Sequence, residues 1–120
     1  MAHNFRDLEV WKRAMSVAKQ VYVATKQFPA EEKFGITSQI QRAAVSIASN
    51  IAEGAGRGSD KDFVHFLNIA LGSAFEVETQ MLLSKDLGYT EENDCKSILE
   101  SLHIIQPQLQ ALINNIDTEK

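Results

Sequence analysis

The chain has little of what usually punctuates or crosslinks a fold: one cysteine, two prolines and six glycines in 120 residues. A lone Cys95 excludes an intramolecular disulfide and any zinc site built on paired thiolates, and it reads as a buried, inert thiol. So few prolines and glycines leave no room for a disordered linker or a collagen-like tract. No apolar run approaches the roughly 18 residues of a membrane span, and the opening MAHNFRDLEVWK puts charge where a signal peptide needs an apolar core. The expectation is one cytoplasmic domain over residues 1–120 with no membrane partner, long enough to bury a core unaided.

Catalytic constellations are missing too. Glu100 and His103 imitate half of a bundle carboxylate metal site, but no second Glu-x-x-His occurs and Glu100 points away from the apolar seam of its helix. His3 lies near the chain start and His65 opposite an apolar face, so no Ser/His/Asp or Cys/His set can be assembled. No enzyme, catalytic residue, cofactor or metal site is expected.

What is present is charge of uneven sign and strong helical periodicity. Net charge is −4: residues 1–60 hold eight Lys/Arg against six Asp/Glu (+2), and residues 61–120 hold four against ten (−6). That balance opposes tight, sequence-independent nucleic-acid binding, which draws on many cationic contacts to phosphate. A local basic face on the first half remains as a candidate: Lys12, Lys19 and Lys26 recur every seventh residue, with Arg6 and Arg13 nearby.

The pattern predicts an all-α, antiparallel up-and-down four-helix bundle with helices over about 7–26, 36–55, 60–86 and 91–116. In the first, Leu8, Trp11, Met15, Ala18, Tyr22 and Thr25 form the expected core seam, and Phe28 and Phe34 are expected to plug the bundle end. Ser59 should cap the third helix, and Gly88 should stop it. Cys95, Ile98, Leu102, Ile105, Leu109, Leu112 and Ile116 give the fourth its seam, with Pro107 off that seam. Gly54, Gly56 and Gly58 resemble a phosphate cradle only weakly, since no strand leads in and a helix-to-helix turn uses the same residues.

Helix two carries three stripes at about 100° per residue. Ile36, Ile40, Ala43, Ile47 and Ile51 face the core, and Ala44, Ala48 and Ala52 admit a close neighbour. Gln39, Arg42, Ser46, Asn50, Glu53 and Arg57 form a polar stripe beside them. Apart from Arg42, these five hydrogen-bonding groups exceed what one bundle should satisfy, so Gln39, Ser46, Asn50, Glu53 and Arg57 are read as a subunit interface or channel wall, with Arg57 at its mouth. Glu78, inside the apolar face of helix three, needs a partner. If helix three folds back at the glycine turn, Arg42 comes opposite Glu78, and a buried structural pair is expected.

A family resemblance rests on Phe5-Arg6-Asp7-Leu8 with Trp11, Phe28-Pro29, Ser38-Gln39-Ile40, Arg42 to Ser46, Asn50-Ile51-Ala52-Glu53-Gly54 and Arg57. It continues through Phe63, Phe66-Leu67, Ala70, Gly72-Ser73, Glu76, Glu78-Thr79-Gln80 and Leu87-Gly88-Tyr89. Over these residues the chain closely resembles the bacterial four-helix-bundle proteins named for 23S ribosomal RNA intervening sequences. The resemblance implies a homopentameric ring with a central channel and, among distant relatives, the basic accessory proteins of diversity-generating retroelements, which engage nucleic acid and a reverse transcriptase. It implies no known reaction, and this chain departs from those relatives in being acidic. The function expected is therefore a non-enzymatic, self-assembling bundle that acts by binding, with RNA or a ribonucleoprotein as first candidate partner. A protein-protein scaffold without nucleic acid is the alternative.

Overall fold

The computed structural model describes residues 3–117. They form four α-helices, α1 (Glu9–Thr25), α2 (Ile36–Ala55), α3 (Asp60–Asp86) and α4 (Glu92–Asp117), with short 3-10 turns at Phe5–Asp7 and Ala30–Glu32. Boundaries follow local chemistry. Asn4 caps the first turn through its side chain, and Ser59 accepts the Asp62 amide at the start of α3. Gly88, at φ 78°, ends α3 in a conformation that favours glycine, and Pro29 stands just ahead of the second 3-10 turn.

Each helix packs against its two neighbours in the order α1, α2, α3, α4 and back to α1, and the backbones of the diagonal pairs do not approach closely. The connections and cross-links make the bundle antiparallel. Thr25 Oγ1 accepts from Gln41 between α1 and α2, and Ser46 meets Ser73 between α2 and α3. Gln20 joins Ser97 and Ser101 between α1 and α4. The result is a rod of 46 × 23 × 20 Å, and among the described residues no helix is long and apolar enough to cross a membrane.

The α4 seam runs as expected, Cys95, Ile98, Leu102, Ile105 and Leu109, except that Ile113 is buried where Leu112 was expected and Leu112 packs at the edge. Burial holds the Cys95 thiol above its ordinary pKa, and its S–H points to the Met81 carbonyl. The expected α1 seam is displaced. Val10, Ala14, Val17, Val21 and Ala24 face the core, while Met15 and Tyr22 are 36% and 47% exposed. Both rows share the three-four spacing, so periodicity cannot choose between them. Small and β-branched side chains allow α1 to approach α2 and α4 closely, and the bulky row turns to one flank. At the bundle end, Phe28 is buried beside Tyr89, whose hydroxyl donates to Glu32. Tyr89 fills the place expected of Phe34, which is 89% exposed.

Gly54 is not a turn residue but a close-approach point. A Cβ there would lie 2.7 Å from the Cβ of Phe66 and 3.3 Å from the Phe63 carbonyl oxygen, so α2 and α3 touch nearly backbone to backbone. Of Gly54, Gly56 and Gly58 only Gly58 has positive φ, at 89°. Gly54→Ala is expected to destabilise by about 1–3 kcal/mol despite its gain in helix propensity, because the helices must part. Gly72→Ala in α3, where nothing lies within 4 Å, is expected to stabilise by about 0.5–1 kcal/mol. Urea unfolding of the two variants measures the opposite signs.

Candidate functional site

The close α2/α3 contact places the polar stripe of α2 along the groove between these helices. Asn50 donates through its side-chain amide to both the backbone oxygen and the hydroxyl of Ser46, at 2.8 Å each. The Ser46 hydroxyl is also hydrogen-bonded to Ser73 Oγ, 2.9 Å away on α3. Ser46 and Asn50 therefore need no neighbouring copy, and the expectation that one chain could not satisfy the stripe is corrected for these two. The missing partner was Ser73, a polar residue in the core-facing row of α3.

Toward the turn, Glu53 and Arg57 form an i, i+4 ion pair at 3.0 Å with both side chains about half exposed. The Arg57 guanidinium also lies 5.0 Å from the centre of the Phe66 ring. The pair itself is worth about 0.3–0.5 kcal/mol at such exposure. Its chief effect is to hold Arg57 flat against α3, beside the face on which Gly54 rests. Gln39 and Arg42 stand exposed further along, and share a shallow groove with Ala43, Ser46 and Glu76.

Arg42 does not pair with Glu78. The helix register is as expected, since the α2/α3 partners are Ser46 with Ser73 and Gly54 with Phe66. The rotation of α3 differs: Glu78 lies on its α4 side. There Gln106 donates to Glu78 Oε1 at 2.7 Å, and His103 Nε2 lies 3.2 Å from Oε2. The Gln106 hydrogen bond is the largest cause of a pKa held below the ordinary carboxyl value, against partial burial, with His103 adding to the lowering. Sequence reasoning missed this cluster, although Gln106 and His103 stand three apart on the α4 face that turns to α3.

The candidate basic face is also only partly gathered. Arg6, Lys12, Arg13, Lys19 and Lys26 are all exposed. Lys12, Lys19 and Lys26 form one outward line along α1 and beyond its end, whereas Arg13 points round toward the α4 side and Arg6 lies over the Phe5 ring in the first turn. Among the described residues no group of three or more His, Cys, Asp and Glu is placed to hold a metal ion, and Glu100 is exposed, away from the core.

Similarity to known proteins agrees with the fold. The family model described as 23S rRNA-intervening sequence protein matches residues 6–111. A crystal structure described as a protein with unknown function from the S23 ribosomal protein family, from Bacteroides thetaiotaomicron VPI-5482, is similar with a TM-score of 0.80 and 30% sequence identity, over 88% of this chain and 95% of that one. No curated protein matches the chain.

The Glu78 cluster has a testable pH signature. Because its folded pKa is lowered, Glu78 contributes stability at pH above its unfolded pKa and loses it as pH falls through the folded value. Gln106→Leu is expected to raise the Glu78 pKa toward its unfolded value, so that stability near neutral pH falls and the part of it lost on acidification shrinks; carboxyl NMR titration and urea unfolding across the acid range measure both. Arg42→Met is expected to leave stability within about 0.5 kcal/mol, as for an exposed residue without a buried partner.

Proposed function

We propose, from the premise that this chain belongs to the 23S rRNA-intervening sequence protein family, that it acts by binding and not by turnover. Copies assemble into a closed ring, five to a ring as the family resemblance implies, and the ring engages RNA or a ribonucleoprotein. The observation that carries this reading is apolar surface left over on a bundle whose core is already closed. Met15, Tyr22, Val45, Phe75, Leu82 and Ile104 are each between 36% and 51% exposed, while the seams behind them are fully buried. Removing such surface from water contributes about 25 cal/mol per Å², a gain that only a partner can supply.

In such a ring the exposed members of the polar stripe, Gln39, Arg42, Glu53 and Arg57, stand on the α2/α3 face and line the channel, with Arg57 next to the turn at its mouth. The lysine row on α1 is the surface for phosphate. The net charge of −4, concentrated in the second half, favours the second reading, a protein-protein scaffold without nucleic acid.

Salt dependence separates the two. Fluorescence anisotropy with labelled single-stranded RNA is expected to give a falling log affinity against log salt. Replacing Lys12, Lys19 and Lys26 together by Gln is expected to lower that slope by about 2, at roughly 0.7 per lost phosphate contact. Absence of RNA binding even at low salt would leave the scaffold.

A further inference from the structure

The groove on the α2/α3 face holds opposite charges that do not meet. Arg42 and Glu76 both line it, yet among the described residues neither joins an ion pair or a hydrogen bond, and Gln39 beside Arg42 joins none either. Helix register explains the grouping. Ser46 is bonded to Ser73, and the two helices run antiparallel, so Arg42, four residues back on α2, is about level with Glu76 on α3. By the same register Gln39 is about level with Gln80. On α3, Glu76, Gln80 and Leu83 follow at steps of four and three and share one face. The floor between the walls is low, because Ala43 is buried and Ser46 is held by Asn50 and Ser73. Above it lies a volume of about 330 Å³.

The two walls differ in kind. Helix α2 offers donors, the Arg42 guanidinium and the Gln39 amide. Helix α3 offers acceptors, the Glu76 carboxylate and the Gln80 side-chain oxygen. That oxygen, Gln80 Oε1, is buried with no hydrogen-bond partner. An acceptor in that state is costly, and a donor seated beside Glu76, one turn away, relieves it. A fitting ligand therefore brings a carboxylate to α2 and an ammonium to α3, a few ångströms apart. The two groups on the α-carbon of a free amino acid meet that demand.

What lies next along the groove sets the side chain. The four polar groups centre near residue 78 of α3, and Leu83 is five residues on, about 7 Å along the helix. Leu83 and Leu87 are 49% and 52% exposed, so apolar surface begins one long side chain away from the ligand's α-carbon.

We infer that this groove binds a free α-amino acid with a large apolar side chain, of the leucine, methionine or phenylalanine kind. Arg42 and Gln39 hold its carboxylate, Glu76 and Gln80 hold its ammonium, and Leu83 and Leu87 cover its side chain. All six residues belong to one chain, so the site depends neither on assembly nor on RNA.

Isothermal titration calorimetry with L-leucine, L-methionine and L-phenylalanine is expected to show saturable binding. N-Acetyl-L-leucine lacks the ammonium and imitates a peptide C-terminus; L-leucinamide lacks the carboxylate and imitates an N-terminus. Both are expected to bind at least about tenfold more weakly than leucine, because each leaves one wall unpaired. Equal affinity for either blocked form overturns the amino-acid assignment in favour of a peptide end. Arg42→Gln and Glu76→Gln alter exposed positions, and with helix content unchanged by circular dichroism each is expected to weaken leucine about tenfold or more. Leu83→Ser is expected to weaken leucine and leave alanine unaffected. In the wild-type chain labelled with nitrogen-15, leucine is expected to shift the Arg42 Nε–H and the Gln39 and Gln80 side-chain amide signals. Shifts confined to other residues, affinity that survives both charge variants, or no binding of any of the three amino acids at millimolar concentration overturns the site.

Discussion

The contact of α2 with α3 is the constraint from which the remaining geometry follows. Ala43, Ala44, Ala48 and Gly54 on α2 and Ala70, Ser73 and Ala74 on α3 are buried, and none is larger than a serine. Where Gly54 meets Phe66, even one added methyl would find the space taken. Helices this close can slide or rotate little without collision, so the contact sets both register and rotation. Register brings Ser73 to Ser46, which completes the Asn50 hydrogen bonds. Rotation turns Glu78 away from α2 toward Gln106 and His103 on α4. One steric fact at the turn end thus decides the surroundings of polar groups about two and three turns away.

Helix α1 follows the opposite rule. Its inner row is valine and alanine, and its bulk lies on the flank in Trp11, Met15 and Tyr22. A monomer built for its own stability would do better with the larger side chains inside, since buried apolar area is the main favourable term. The small and β-branched inner row instead lets α1 approach α2 and α4 closely, and the larger side chains stay on the flank, partly exposed.

The sequence carried most of the fold because long helices with repeated three-four spacing admit few alternatives. The limits of α2 and α3 and the α4 seam were readable from apolar steps, Ser59 and Gly88. The α1 face was not, since two rows one residue apart satisfy the same spacing, and only packing against both neighbours separates them. Phe34 was misplaced because an aromatic near a helix start looks like a plug whether or not the end is already filled, here by Phe28 and Tyr89. The Arg42–Glu78 pair failed for a related reason: register followed from the turn, but a rotation of about a quarter-turn in α3 cannot be read from which residues lie level. The polar stripe was legible as a stripe. Its partner was not, because a serine at a buried position of a helix carries no signal of what it will meet.

Polar residues interrupt the partly exposed apolar row of α3. Asn68 and Glu78 interrupt Val64, Leu71, Phe75 and Leu82, and both are already satisfied within the chain, Asn68 by the Val64 carbonyl and Glu78 by Gln106 and His103. The internal bonds to Glu78 reduce the cost that a bare carboxylate would impose on burial. The same residues make the row a poor match for itself: two copies placed face to face along it would bring Glu78 toward Glu78. In coiled coils, polar positions within an apolar seam lower the strength of a contact while restricting it to one partner and one register.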